Sequence, residues 1–171
     1  MPLSRRSFVV AAAAFAAAPT AACSAQPAKN DKAPAPQNPI ASRPIAMAVH
    51  RDPGCPCCDE WAALARKAGY RVTVADDPDI AARKRRLGVP ADLQSCHTTE
   101  VAGYVLEGHV PFDSLARLLA SGDRTIVGLA VPGMPLGSPG MGAPSTAAAY
   151  QVIAFERSGK RHVFADISAR G

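Results

Sequence analysis

Three cysteines stand within four positions in the segment Asp52-Pro53-Gly54-Cys55-Pro56-Cys57-Cys58. An apolar run, Ile45-Ala46-Met47-Ala48-Val49, precedes them, and a helical pattern beginning near Asp59 follows. The segment therefore reads as strand, tight turn and helix start, with sulfur concentrated at the turn. Thiols placed there can exchange disulfides, hold a soft metal, or do both. Cys55 and Cys58 have the C-x-x-C spacing. At a helix N-terminus, backbone N–H groups and the dipole favour the thiolate, the form that both attacks disulfides and ligates metals. The spacing alone does not choose between the two. Cys57 bears on the choice: a dithiol exchanger needs two cysteines, and a third invites wrong pairing in an oxidising compartment. A multinuclear metal site gains from another bridging thiolate.

The rest of the chain supplies more soft donors. Cys96-His97 puts a fourth thiol beside an imidazole, and His109 lies in a Gly-His-Val-Pro turn. Met134 and Met141 occupy a Pro/Gly-rich loop spanning Pro132 to Pro144. Thiolate, thioether and imidazole together select Cu(I) first and zinc second. Competing readings stay open at this level. Two structural disulfides would use all four of these cysteines, and the methionines could fill a core. His109 could serve only a loop hydrogen bond. His50 reads as a packed strand end and His162 as part of a terminal hairpin. No Ser/His/Asp set or phosphate-binding loop stands out.

Periodicity gives the frame. Pro44–His50 reads as a buried first strand. Asp59–Ala68 reads as a helix with Trp61, Leu64, Ala65 and Ala68 on one face, stopped by Gly69. Tyr70–Val74 alternates as a strand. Asp79–Leu87 reads as a second helix whose run Arg83-Lys84-Arg85-Arg86 is expected to be a solvated face. Thr99–Leu106 reads as a third strand, Pro111–Ala120 as a third helix, and Thr125–Val131 as another apolar stretch. Tyr150–Arg157 and Arg161–Ile167 read as a hairpin. A cysteine pair opening the first helix of such an α/β sandwich predicts a thioredoxin-like, glutaredoxin-like fold with an added Pro/Gly/Met loop and a C-terminal β-hairpin. In that fold the loop bearing Cys96-His97 approaches the cysteine turn.

The N-terminus carries different information. Arg5-Arg6 ahead of the 11-residue apolar run Phe8–Ala18 resembles a twin-arginine export signal. The run is too short to span a bilayer. The expected signal peptide is 1–25; cleavage after Ala25 competes with lipidation of Cys23 in Thr20-Ala21-Ala22-Cys23. Residues 26–43 have almost no large apolar side chain and are expected to form a disordered linker, leaving 44–171 as the domain. The expected location is the periplasm, with membrane contact only through the signal or a lipid anchor. The net charge of +5 is no nucleic-acid signature: from Pro44 onward there are 14 Lys/Arg and 13 Asp/Glu.

Taken together, Cys55-x-Cys57-Cys58, Leu87-Gly88-Val89-Pro90, Ser95-Cys96-His97-Thr98, Gly108-His109-Val110-Pro111 and Pro132-Gly133-Met134 through Met141 resemble a bacterial domain-of-unknown-function family. That family includes the CopG-type periplasmic copper-resistance protein, and the resemblance runs from about Ile45 to Asp166. It implies a thioredoxin-like domain whose cysteines bind copper, in the form of a thiolate-bridged cluster of several ions, with a role in copper redox handling. The family commonly has Gly between the first two cysteines, where this chain has Pro56. The expected function is periplasmic Cu(I) binding in copper resistance or homeostasis, with copper ions and other periplasmic copper-handling proteins as partners. A copper oxidoreductase role extends that reading. The alternatives are a metal-free thiol–disulfide oxidoreductase and a zinc protein.

Overall fold

Alternation along the strands decides how the layers form. In β-structure successive side chains point to opposite faces, and here both faces are covered. The computed structural model describes residues 44–142 and 148–169. Its elements run β1 (Ala46–Arg51), α1 (Pro56–Lys67), β2 (Arg71–Asp76), α2 (Ile80–Arg86), a 3-10 turn (Ala91–Leu93), β3 (His97–Val101), β4 (Tyr104–Gly108), α3 (Phe112–Ser121), β5 (Ile126–Val131), β6 (Tyr150–Glu156) and β7 (Arg161–Ile167). The strands form one seven-stranded mixed sheet in the order β2-β1-β3-β4-β5-β6-β7. β1 pairs parallel with β2 and β4 parallel with β5, while the remaining neighbours are antiparallel. The expected signal peptide, the linker and Cys23 lie outside the described residues.

One face of the sheet presents Met47, Val49, Val101, Leu106, Leu129 and Val131 to Trp61 and Ala65 of α1 and Leu115 and Leu118 of α3. The other presents Val105, Ala130 and Phe155 to Val89 and Leu93, which follow α2. Neighbouring residues Leu129 and Ala130 thus belong to different cores, as period-two alternation requires. The sheet tolerates no added bulk at Gly128, where a Cβ would lie 2.0 Å from the Val105 carbonyl oxygen and 2.7 Å from the Phe155 ring.

Three expectations change. The first helix begins at Pro56, not Asp59. Proline suits the first helical turn because its missing N–H would have no partner there, so Cys57 and Cys58 lie inside the helix. The single strand expected over Thr99–Leu106 is a hairpin, β3–β4. It reverses at Ala102 and Gly103, both with positive φ (49° and 82°), as a two-residue turn matched to strand twist demands. The basic run is not uniformly solvated either: Arg85 and Arg86 are exposed, but Lys84 is buried.

Gly128→Ala should lower unfolding free energy by about 3 kcal/mol, since backbone and a core ring are both in the way. Leu136→Ala, at a side chain 58% exposed, should leave it almost unchanged. Urea unfolding of the two variants makes the comparison.

Candidate metal centre

The cysteine turn is held in place before any ligand is considered. Arg51, at the end of β1, donates to the Cys55 carbonyl (2.9 Å) and pairs with Asp59 of α1 (2.6 Å) and Asp76 of β2 (2.8 Å). One guanidinium thereby ties the strand end, the turn and the first turn of α1 together. Cys55 caps the helix, Cys57 is half-buried and Cys58 is fully buried. Cys55 and Cys58 are joined by a disulfide with their Cα atoms 5.5 Å apart. Cys57 and Cys96 carry free thiols in this structure, so the four are not paired as two disulfides in it.

The second half of the site comes from the ends of the β3–β4 hairpin. Cys96 immediately precedes β3, His97 begins it, and His109 follows β4. The Cys96 Sγ is 3.3 Å from His97 Nδ1 and 3.1 Å from His109 Nε2. The sulfurs of Cys55, Cys57, Cys58 and Cys96 all lie within 4.8 Å of one another, and so do the donor atoms of Cys96, His97 and His109. Cys96 belongs to both groups. Cys55 and Cys57 sulfurs are 3.4 Å apart.

Burial sets the protonation of these groups. It pushes the Cys96 thiol up to about 12, with the nearby Cys57 as the next cause. It lowers His97 to about 3, helped by the charges of His109 and Lys84, and it lowers His109 as well. Both imidazoles are therefore neutral near pH 7, the state in which a ring nitrogen can ligate a metal. His97 is packed between the Trp61 ring (centroids 5.0 Å apart) and His109 (5.1 Å, edge-on). Its Nε2 is buried and has no hydrogen-bond partner among the described residues, an uncommon state for a buried polar atom. His109 Nδ1 lies 2.7 Å from the Pro139 carbonyl, so that nitrogen carries the proton and Nε2 faces Cys96 as an acceptor. The donor set is thus soft and partly unsatisfied, and it fits a thiophilic ion.

The Pro/Gly/Met loop reaches the site through its backbone. Besides the Pro139 contact, Gly140 packs on α1 so closely that a Cβ there would lie 2.8 Å from Trp61 N and 3.3 Å from the Cys57 carbonyl oxygen. Met141 follows directly and is half-buried, whereas Met134 is 39% exposed and sits at a positive φ of 49°. His50 lies 3.6 Å from Glu100 and His162 3.8 Å from Glu156, consistent with their reading as structural side chains.

Sequence reasoning did not single out Arg51, Gly140, or a buried charge cluster behind the hairpin, in which Lys84 meets Glu107 and Thr98. The one available signal was Glu107 itself, a lone acid in the apolar strand Tyr-Val-Leu-Glu-Gly.

These features define a small α/β protein with a cysteine–histidine cluster at the ends of the central strands β1, β3 and β4. A family model described as "Protein of unknown function, DUF411" matches residues 93–141, which carry Cys96, His97, His109 and both loop methionines. Two solved structures titled as copper resistance protein CopG, forms 1 and 2, are each 43% identical. Form 1 superposes with a TM-score of 0.70, covering 74% of this chain and 99% of that chain; form 2 gives 0.69, 73% and 99%. No curated protein matches the chain. The chain belongs to the DUF411 family, which includes CopG-type copper-resistance proteins.

In the metal-free protein the depressed His97 has a linkage consequence. Between its ordinary value of 6.5 and about 3, the unfolded chain binds a proton there that the folded chain does not. Stability from this residue is therefore lost as pH falls through that window, at up to about 1.4 kcal/mol per pH unit. His97→Gln should flatten the pH dependence of unfolding between pH 6.5 and 4 relative to wild type.

Proposed function

We propose that this protein binds Cu(I) in the service of copper resistance or homeostasis, through Cys55, Cys57, Cys58 and Cys96. The observation that carries the reading is the meeting of four sulfurs within 4.8 Å, one of them shared with two neutral imidazoles. His97 and His109 are the nearest candidate further ligands. Met141 and Met134, on the loop seated over α1, are further candidates. So many thiolates in so small a volume favour bridging, hence a cluster of several ions. The family membership supports copper over zinc, because the similar solved structures are titled as copper-resistance proteins.

The proposed fold type is thioredoxin-like. It is supported by a β-α-β unit with the C-x-x-C at the start of its helix, followed by an antiparallel hairpin and a further helix. The seven-stranded sheet extends that core by β5, β6 and β7. The proposed location is the periplasm, by twin-arginine export, with or without lipidation at Cys23; this rests on the sequence around Arg5-Arg6. Other copper-handling proteins of that compartment are the proposed partners, and interconversion of copper oxidation states is an extension of the same site's chemistry.

The disulfide favours a second reading. Cys55 and Cys58 are already joined, the pair a metal-free thiol–disulfide oxidoreductase would use. Copper binding by all four sulfurs requires two electrons and two protons to return that pair to thiols.

Anaerobic titration of the reduced protein with Cu(I), in competition with a chelator, separates the readings. Wild type should retain more than one copper per chain, and Cys57→Ser and Cys96→Ser should each lower the count. Absence of retained copper together with efficient reduction of insulin disulfides would replace the copper reading with the oxidoreductase one. Uptake of a single zinc in preference to copper would support the zinc alternative.

A further inference from the structure

Behind the hairpin, on the sheet face opposite α1, lies a charge cluster that the copper site does not use directly. Lys84 of α2 is 3% exposed and Glu107 of β4 is fully buried. The Lys84 ammonium donates to Glu107 Oε1 (2.5 Å) and to Thr98 Oγ1 (3.0 Å). The other Glu107 oxygen accepts from the Thr98 hydroxyl (2.7 Å), and Oε1 also accepts the backbone N–H of Ser95 (2.6 Å). A buried ion pair of this kind adds little stability over well-packed apolar residues, because desolvation consumes most of the attraction. Its value therefore has to be sought in what it orients.

Two of the three donors to the Glu107 carboxylate lie on the segment that carries Cys96, and the third, Lys84, also donates to Thr98 of that segment. Ser95 precedes Cys96, Thr98 follows His97, and Thr98 is the register partner of Glu107 at the end of the hairpin nearest the site. Glu107 is two residues before His109. Gly108, between them, has φ +70°, and a Cβ there would lie 2.6 Å from Ser95 Oγ and 2.8 Å from the Val131 carbonyl oxygen. The two chain ends that supply Cys96 and His109 are thus drawn together by one carboxylate and one tight backbone approach.

We propose that the buried Lys84–Glu107 pair is the positioning element of the metal centre, fixing the Ser95–Thr98 segment so that Cys96 stands at hydrogen-bonding distance from His109 and close to Cys57. Lys84 and Glu107 touch no ligand atom; they act through Ser95 and Thr98. The proposal rests on the copper reading only for its metal-dependent consequence. Its geometric consequence, the fixing of Cys96, holds without metal.

The test uses the purified protein and the double variant Lys84→Met/Glu107→Leu, which removes both charges and so leaves no unpaired ion in the core. Three quantities are read: the melting temperature, the rate at which iodoacetamide alkylates Cys96 relative to Cys57 in the reduced metal-free protein, and Cu(I) affinity from chelator competition with its thiolate absorption band. The double variant is expected to melt near wild type. Its Cys96 alkylation should rise by about 10-fold or more with Cys57 unchanged, and its Cu(I) affinity should fall by about 10- to 100-fold. A folded double variant with wild-type Cys96 reactivity and a wild-type copper spectrum would overturn the proposal. Should it not fold, Thr98→Val keeps the ion pair and loses one donor; it is expected to raise Cys96 alkylation by about 3-fold, and an unchanged rate would overturn the proposal. If wild type takes up no copper, the copper reading fails, and the alkylation rates alone decide whether the pair positions Cys96.

Discussion

The β3–β4 hairpin sets the distance between Cys96 and His109, and that distance governs what the site can hold. β3 begins and β4 finishes at the same end of the sheet, so two residues 13 apart in sequence meet at 3.1 Å. A one-residue slip in register would turn every side chain of the hairpin to the other face, sending His97 away from Trp61 and Glu107 away from Lys84. The turn at Ala102-Gly103 and the Thr98–Glu107 pair oppose that slip from opposite ends of the hairpin. The cysteine turn on α1 meets this hairpin end because Arg51 anchors the turn and because Trp61 Nε1 donates to the Val110 carbonyl at 3.1 Å. Loop and helix are then closed over by Pro139 and Gly140.

Within that frame the chemistry depends on the state of one bond. With Cys55 and Cys58 joined, two free thiols and two neutral imidazoles remain, a smaller donor set. With the bond reduced, four thiols share the same volume. Burial works against deprotonating them one by one, as the raised Cys96 shows. A metal that replaces the protons removes that penalty, which couples loading to proton release. Disulfide chemistry and metal binding therefore draw on the same atoms and exclude one another at Cys55 and Cys58.

Much of this was legible in the residues. Cys55, Cys57, Cys58, Cys96, His97 and His109 are rare residue types at or beside the ends of helices and strands, where local sequence chemistry is readable. The terminal hairpin was equally plain from its alternation and the Ser158-Gly159 turn. Other features were not local. The Ala102-Gly103 reversal was hidden because its flanking strands form one continuous β-favouring run. Lys84 was read with its three arginine neighbours as solvated, since only the tertiary fold brings Glu107 beneath it. The close approach of Gly140 to Trp61 depends on a loop path that no periodicity encodes. The soft chemistry of the methionines is evident in sequence, whereas the seating of their loop on His109 and α1 through Pro139 and Gly140 is not.

The most direct measurement is copper K-edge X-ray absorption on the reduced protein loaded anaerobically with Cu(I). A first shell dominated by sulfur, with a copper–copper feature that weakens in Cys57→Ser, is the expected result. A shell of nitrogen and oxygen alone, unchanged when Cys57 or Cys96 is replaced, would contradict the assignment of these thiols to copper.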